Sequence, residues 1–160
     1  DTGLNTMTGG RIKRIQRFVE NEPFFLTYGD AVADVDLDEL KKFHSSHGKS
    51  ITLTAISLAQ QKGVLRVGQD NTVVAFREKE NTDGSMVNGG FMVCNPKVFE
   101  YLKDDGTVFE QEPMENMTMD GEVKSYFHKG FWQCMDTKRE KDKLEALWRS
   151  NEAPWKVWKD

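Results

Sequence analysis

The sequence predicts an α/β domain with a mixed sheet. Short apolar runs such as Phe24-Phe25-Leu26-Thr27-Tyr28 and Phe131-Trp132-Gln133-Cys134-Met135 alternate with stretches whose apolar residues recur at helical spacing. The joints between them carry capping and turn residues, among them Asp36, Gly48, Asn95-Pro96 and Thr137. A chain of 160 residues, 38% hydrophobic and 30% charged, fits one domain with a proper core.

The elements follow in order. Residues 1–10 are rich in Gly and Thr and read as a loop. A helix from Gly10 to Glu20 turns Ile12, Ile15, Phe18 and Val19 to one face and Arg11, Lys13, Arg14 and Arg17 to the other. A Gly-Thr loop opening a helix leaves backbone N–H groups at the positive end of its dipole, a seat for a phosphate or a polar base edge. After Pro23, the run from Phe24 to Tyr28 reads as a strand covered on both faces, ending in Gly29-Asp30. Asp36 caps a helix through His47 that turns Leu37, Leu40 and Phe43 inward and stops at Gly48. His44 and His47 on that helix read as surface groups without a role.

Ser50–Leu58 is a strand, and Gly63–Val67 with Thr72–Arg77 form a hairpin about residues 68–71. Met86–Cys94 is a strand broken by Asn88-Gly89-Gly90, a signature of a bulge or of close backbone approach by a ligand. Asn95-Pro96 opens a short helix to Leu102, and Phe109–Met119 reads as another helix ended by Gly121. Val123–His128 and the run from Phe131 are strands, and Thr137 caps a last helix, Lys138–Arg149, with Leu144, Leu147 and Trp148 inward. The tail Pro154-Trp155-Lys156-Val157-Trp158 is aromatic and calls for a surface or a second subunit to pack on.

Composition excludes several classes. Lys and Arg total 22 against 26 for Asp and Glu, a net charge of −4, which argues against nucleic-acid binding. No apolar run is long enough to span a membrane, and no signal peptide opens the chain. Cys94 and Cys134 have neither the density of a disulfide scaffold nor zinc-site spacing, and read as reduced thiols of a cytoplasmic protein. The chain begins at Asp1, with no leading strand, as if in the middle of a fold.

The chemistry gathers at strand ends. Asp30 and Asp136 each follow an apolar run, and ligands bind beyond the carboxyl ends of strands in open α/β sheets. Two carboxylates sharing such a rim suit Mg²⁺, which takes oxygen ligands and offsets charge on a transferring phosphoryl group. Lys79 is a point charge suited to a phosphate, and Asn88 beside two glycines offers hydrogen bonds to hydroxyls. The set describes a site for a phosphorylated sugar and a nucleotide, with no Ser-His or Cys-His nucleophile.

The series TMTGGR, TYGD followed by VADVDLDEL, VNGGFMV, FEQEP, FWQCMDT and APWKVW resembles the glucose-1-phosphate cytidylyltransferases among the sugar-nucleotidyltransferases. That resemblance implies a Rossmann-like mixed sheet, incomplete at its N-terminus because the family's glycine-rich triphosphate loop and its Lys have no counterpart in residues 1–160. It divides the chain, as the C-terminal part of one domain, into a nucleotide loop (1–11), a metal strand end (24–30), a sugar-phosphate pocket (72–94) and a segment with the second metal acid, last helix and tail (131–160). It implies CTP and glucose 1-phosphate as substrates, CDP-glucose and pyrophosphate as products, Mg²⁺ as cofactor, and a homo-oligomer feeding polysaccharide synthesis. By resemblance, Asp30 and Asp136 hold the metal, and Thr6, Gly10, Arg11 and Gly29 contact the nucleotide. Lys79 holds the sugar phosphate and acts with the two acids, while Glu78, Asn88 and Gly89 complete the sugar pocket. Two positions depart from the family: 58–62 reads LAQQK in place of a Pro- and Gly-rich loop, and Glu80 replaces a proline. The chain alone is expected to be inactive and to self-associate. The alternatives are UTP or dTTP as nucleotide, or a non-catalytic sugar-nucleotide-binding or subunit-interaction domain.

Overall fold

A computed structural model of the chain describes residues 1–19, 21–57 and 86–158, together with the backbone of 64–67 and 73–77. Its main sheet has four strands in the order β1 (Phe24–Thr27), β6 (Met86–Cys94), β3 (Ile51–Ser57), β7 (Val123–His128). β6 is antiparallel to both β1 and β3, and β7 is parallel to β3. β1, β3 and β7 therefore run in one direction, and their carboxyl ends share a rim with the start of β6. Two small ribbons complete the strands: β2 (Ala31–Ala33) with β8 (Trp132–Cys134), and β4 (Val64–Val67) with β5 (Val73–Arg77), the hairpin the sequence predicts.

The layers follow from side-chain alternation along the strands. On one face Phe24, Leu26, Ile51, Leu53, Met92 and Cys94 join Ile12 of α1 (Thr8–Val19), Val98 and Phe99 of a 3₁₀ turn (Pro96–Tyr101), Phe109, and Met117 of α3 (Glu112–Met119). On the other face α2 (Leu37–His47) buries Leu40 completely and packs Phe43 on Tyr126, with ring centroids 5.6 Å apart. α2 begins and ends as the sequence predicts: the Asp36 carboxylate accepts from the Glu39 N–H, and Gly48 stands at φ +65°. α4 (Lys138–Arg149) has a full capping box between Thr137 and Glu140.

Several expectations need correction. β1 is an edge strand covered on one side, with Phe25 50% exposed, because no described element lies over its outer face. Phe18 and Leu37 are exposed, so the buried faces of α1 and α2 are narrower than their spacing suggests. α1 starts earlier, at Thr8, and α3 starts later, with Pro113 in its first turn, where a missing N–H costs little. Asn95 does not cap the 3₁₀ turn: its side chain donates to the Lys49 carbonyl. His44 is no surface group. It is 2% exposed, and its Nδ1 and the Nε2 of His47 each lie 2.8 Å from the Thr52 hydroxyl. The tail, expected on a surface or a second subunit, finds a surface: Trp155 stacks on Phe131 and Trp158 lies beside Trp148, while Val157 stays exposed.

Among the described residues no helix is long and apolar enough to cross a membrane. Both cysteines are free, and burial raises the Cys94 thiol to about 12.

Candidate functional site

The rim is assembled by three side chains that tie its segments together. β1 ends at Thr27, and the chain passes through Tyr28-Gly29-Asp30 into β2. There the Asp30 carbonyl accepts from the Met135 N–H at 2.8 Å, extending the β2–β8 pairing by one residue. That bond brings Asp30 beside Met135-Asp136, although 106 positions separate the two acids. Both acids are exposed. Among the described residues nothing lies within 4 Å of the place where a Gly29 side chain would begin.

Beside this pair lies the bulge in β6. Leu53 pairs with Met92 but Ala55 with Asn88, so β6 carries extra residues at Gly89-Gly90. Gly90 stands at φ +80°, and a Cβ there would lie 2.8 Å from Cδ2 of Tyr28. The glycine therefore makes room for Tyr28, a protein side chain. Asn88 is exposed, and its Oδ1 accepts from the Gly90 N–H at 2.9 Å. Among the described residues no hydrogen-bond acceptor is found for its amide NH₂. Gly89 is buried, and its carbonyl accepts from the indole N–H of Trp132 at 2.7 Å.

The third segment is the start of α1. Glu110 accepts from the Tyr28 hydroxyl at 2.5 Å through one oxygen and from the Thr8 hydroxyl at 2.7 Å through the other. Burial, then the Glu110 carboxylate, raises the Tyr28 phenol far above its ordinary range, so it remains a donor at any physiological pH. The N–H groups of Gly9 and Gly10 both point at the Thr107 carbonyl, 2.9 and 3.2 Å away. Those donors serve the fold and are not a phosphate seat, which corrects the expectation from the glycine-rich loop. Gly10 is packed against Asp105, where a Cβ would meet the backbone at 2.7 Å. Thr6 is 6% exposed, whereas Arg11 is exposed and donates to the Thr2 hydroxyl at 2.7 Å.

Glu78, Lys79 and Glu80 lie outside the described residues. The structure thus brings Asp30, Asp136, Gly29, Asn88 and Gly89 to one rim and links the Thr6–Arg11 loop to it through Glu110. Sequence reasoning missed Tyr28, Glu110 and Trp132 as individuals, although each stands inside a segment that carries the resemblance: TYGD, EQEP and FWQCMD.

Two groupings compete as cation sites. Ligand atoms of Cys134, Asp136 and Glu140 lie within 4.8 Å of one another. Glu140, however, accepts from the Thr137 N–H and hydroxyl, each at 2.9 Å, and burial raises the Cys134 thiol. That trio is a helix cap beside a protonated thiol. The exposed carboxylates of Asp30 and Asp136 offer oxygen only, the donor set that a hard divalent cation prefers.

Residues 6–160 match the family described as "Nucleotidyl transferase". Glucose-1-phosphate cytidylyltransferase of Salmonella typhimurium strain LT2 is 48% identical over 161 residues, and that of Salmonella typhi is 47% identical over 159. Each match takes in 99% of this chain, which spans 62% of the length of those relatives. A solved UDP-glucose pyrophosphorylase complexed with UDP-glucose superimposes with a TM-score of 0.68 at 14% identity, over 94% of this chain and 64% of that one. This last likeness concerns the fold: a Rossmann-like mixed α/β sheet.

Proposed function

Because the chain belongs to the nucleotidyl transferase family, we propose that it forms the metal- and sugar-binding part of a glucose-1-phosphate cytidylyltransferase, which joins CTP and glucose 1-phosphate into CDP-glucose and pyrophosphate. The observation that carries this reading is the 2.8 Å bond between the Asp30 carbonyl and the Met135 N–H, which makes neighbours of two acids from opposite ends of the chain. Asp30 and Asp136 would hold Mg²⁺. When bound, the ion offsets negative charge on the phosphate oxygens as the sugar phosphate displaces pyrophosphate.

The remaining roles belong to the chain itself. Asn88, with its carbonyl oxygen turned to Gly90, presents an amide NH₂ to a hexose hydroxyl. Lys79 is assigned to the sugar phosphate as a point charge, with Glu78 on the hydroxyls. Arg11, Thr6 and Gly10 are assigned to the nucleotide, together with Gly29, around which no described residue crowds the backbone. The 47–48% identical relatives carry cytidylyltransferase names, which favours CTP over UTP or dTTP.

The test is pyrophosphate release from CTP and glucose 1-phosphate with Mg²⁺. It is run on this chain and on the chain joined to the part of the Salmonella typhi enzyme that it does not cover, with UTP and dTTP as controls. The expected result is CTP-selective turnover by the joined chain that Asp30→Ala and Asp136→Ala abolish, with none from the chain alone. No turnover by either, with CDP-glucose still bound, would make this a sugar-nucleotide-binding domain.

A further inference from the structure

We infer that Trp132 is a positioning residue for the sugar side of this site: its indole N–H, held 2.7 Å from the Gly89 carbonyl, fixes Asn88 relative to the strand that leads into Asp136. The inference rests on the reading of the rim given above and deepens it.

β8 belongs to a two-stranded ribbon with β2, and β6 belongs to the four-stranded sheet, so no ladder connects them. The bulge creates the opening for a side chain to do so. Between the pairs Leu53–Met92 and Ala55–Asn88, β6 has more residues than β3 can match. Gly89 is buried at that point, and a buried carbonyl without a donor is costly. Trp132 supplies the donor from β8. Packing leaves little freedom, since a Cβ on Gly89 would stand 3.2 Å from both the Ile56 side chain and the Thr54 carbonyl. On the next residue, the Gly90 N–H holds the Asn88 carboxamide. Indole, bulge and carboxamide thus form one chain of contacts, with Asn88 at its end and Asp136 four residues beyond its beginning. The nucleotide loop is tied to the rim by a different route, through Glu110. Loss of the indole N–H should therefore weaken the sugar contact and spare the nucleotide contact.

The test replaces Trp132 with benzothienylalanine, which keeps the bicyclic shape and puts sulfur where the N–H was; Trp132→Phe is the second variant. Affinities for CDP-glucose and for CDP are measured by calorimetry on the unsubstituted chain and on both variants. The expected result is CDP-glucose bound about tenfold more weakly by the isostere, the worth of one buried hydrogen bond, with CDP affinity changed less than about twofold. Equal affinity of the isostere for CDP-glucose would overturn the inference, and so would equal weakening of both ligands, which marks general damage. Failure of the unsubstituted chain to bind CDP-glucose would overturn the underlying reading of the rim, and the inference with it.

Discussion

The hydroxyl of Tyr28 donates to Glu110 across a gap of 82 positions, at 2.5 Å. The same carboxylate takes the Thr8 hydroxyl, so one acid holds the end of β1 to the start of α1. Tyr28 also lays its ring against Gly90. Three motifs that look independent in the sequence thus meet on one phenol.

Removing only the hydroxyl separates its two functions. Tyr28→Phe keeps the ring over Gly90 and loses a hydrogen bond to a charged acceptor. The expected cost is about 1–2 kcal/mol in a urea unfolding titration, and Glu110→Ala, which also frees Thr8, should cost at least as much.

Gly90 should tolerate no side chain. Gly90→Ala meets an unfavourable backbone at φ +80° and a contact with the Tyr28 ring at 2.8 Å. A loss of about 2 kcal/mol is expected from the backbone and the crowding together. In the double variant with Tyr28→Ala the crowding disappears, so the combined loss should be smaller than the sum of the two singles, a departure that a double-mutant cycle measures.

Asp30 and Asp136 are exposed, so neither supports the core. Asp30→Ala and Asp136→Ala should each leave the circular dichroism spectrum unchanged and weaken Mn²⁺, a spectroscopic substitute for Mg²⁺, by at least about tenfold. Glu140→Ala, at the competing trio, should lower the melting temperature through loss of the capping box, with little effect on Mn²⁺.

Acid should destabilise the chain through the histidine pair. Burial lowers the pKa of His44, and burial followed by the charges of His44, Lys124 and Lys49 lowers that of His47. A histidine with a depressed folded pKa binds more protons when unfolded. Its contribution is complete above the unfolded value, about 6.5, and is lost as pH falls through the folded one. The melting temperature should therefore drop below pH 6.5, and His44→Gln should flatten that slope. Glu122 titrates lower down: the Ser50 hydroxyl first, then Lys97, hold it at about 2, so its contribution persists well below the histidine window.

Much of the fold was legible because local chemistry agreed with it. Asp36, Gly48 and Thr137 cap where their side chains or backbone freedom predict. The bulge at Gly89-Gly90 was legible because two glycines inside a strand have few other uses. What escaped was set by distant partners. Nothing local distinguishes a buried His44 from an exposed one; Thr52 on the neighbouring strand does. The helix-opening glycines promised free donors, and only the loop at Thr107 shows those donors already taken. Phe24–Thr27 read as a strand covered on both faces because its residues are apolar, while what covers it depends on which elements lie beside it. In the site, the two acids were legible as strand ends, but Tyr28, Glu110 and Trp132 act through contacts with residues far away in sequence.

The seating of α1 on Thr107 has a consequence for how the chain is made. The glycines of α1 find their acceptor about a hundred residues downstream, and among the described residues β1 pairs with β6. At a synthesis rate of about 5–20 residues per second, α1 waits about 5–20 s after leaving the ribosome before its docking site exists. During that interval its apolar stripe lacks the contacts that Val98, Phe99 and Phe109 later supply. Docking of α1 and pairing of β1 are therefore long-range events that come late in synthesis.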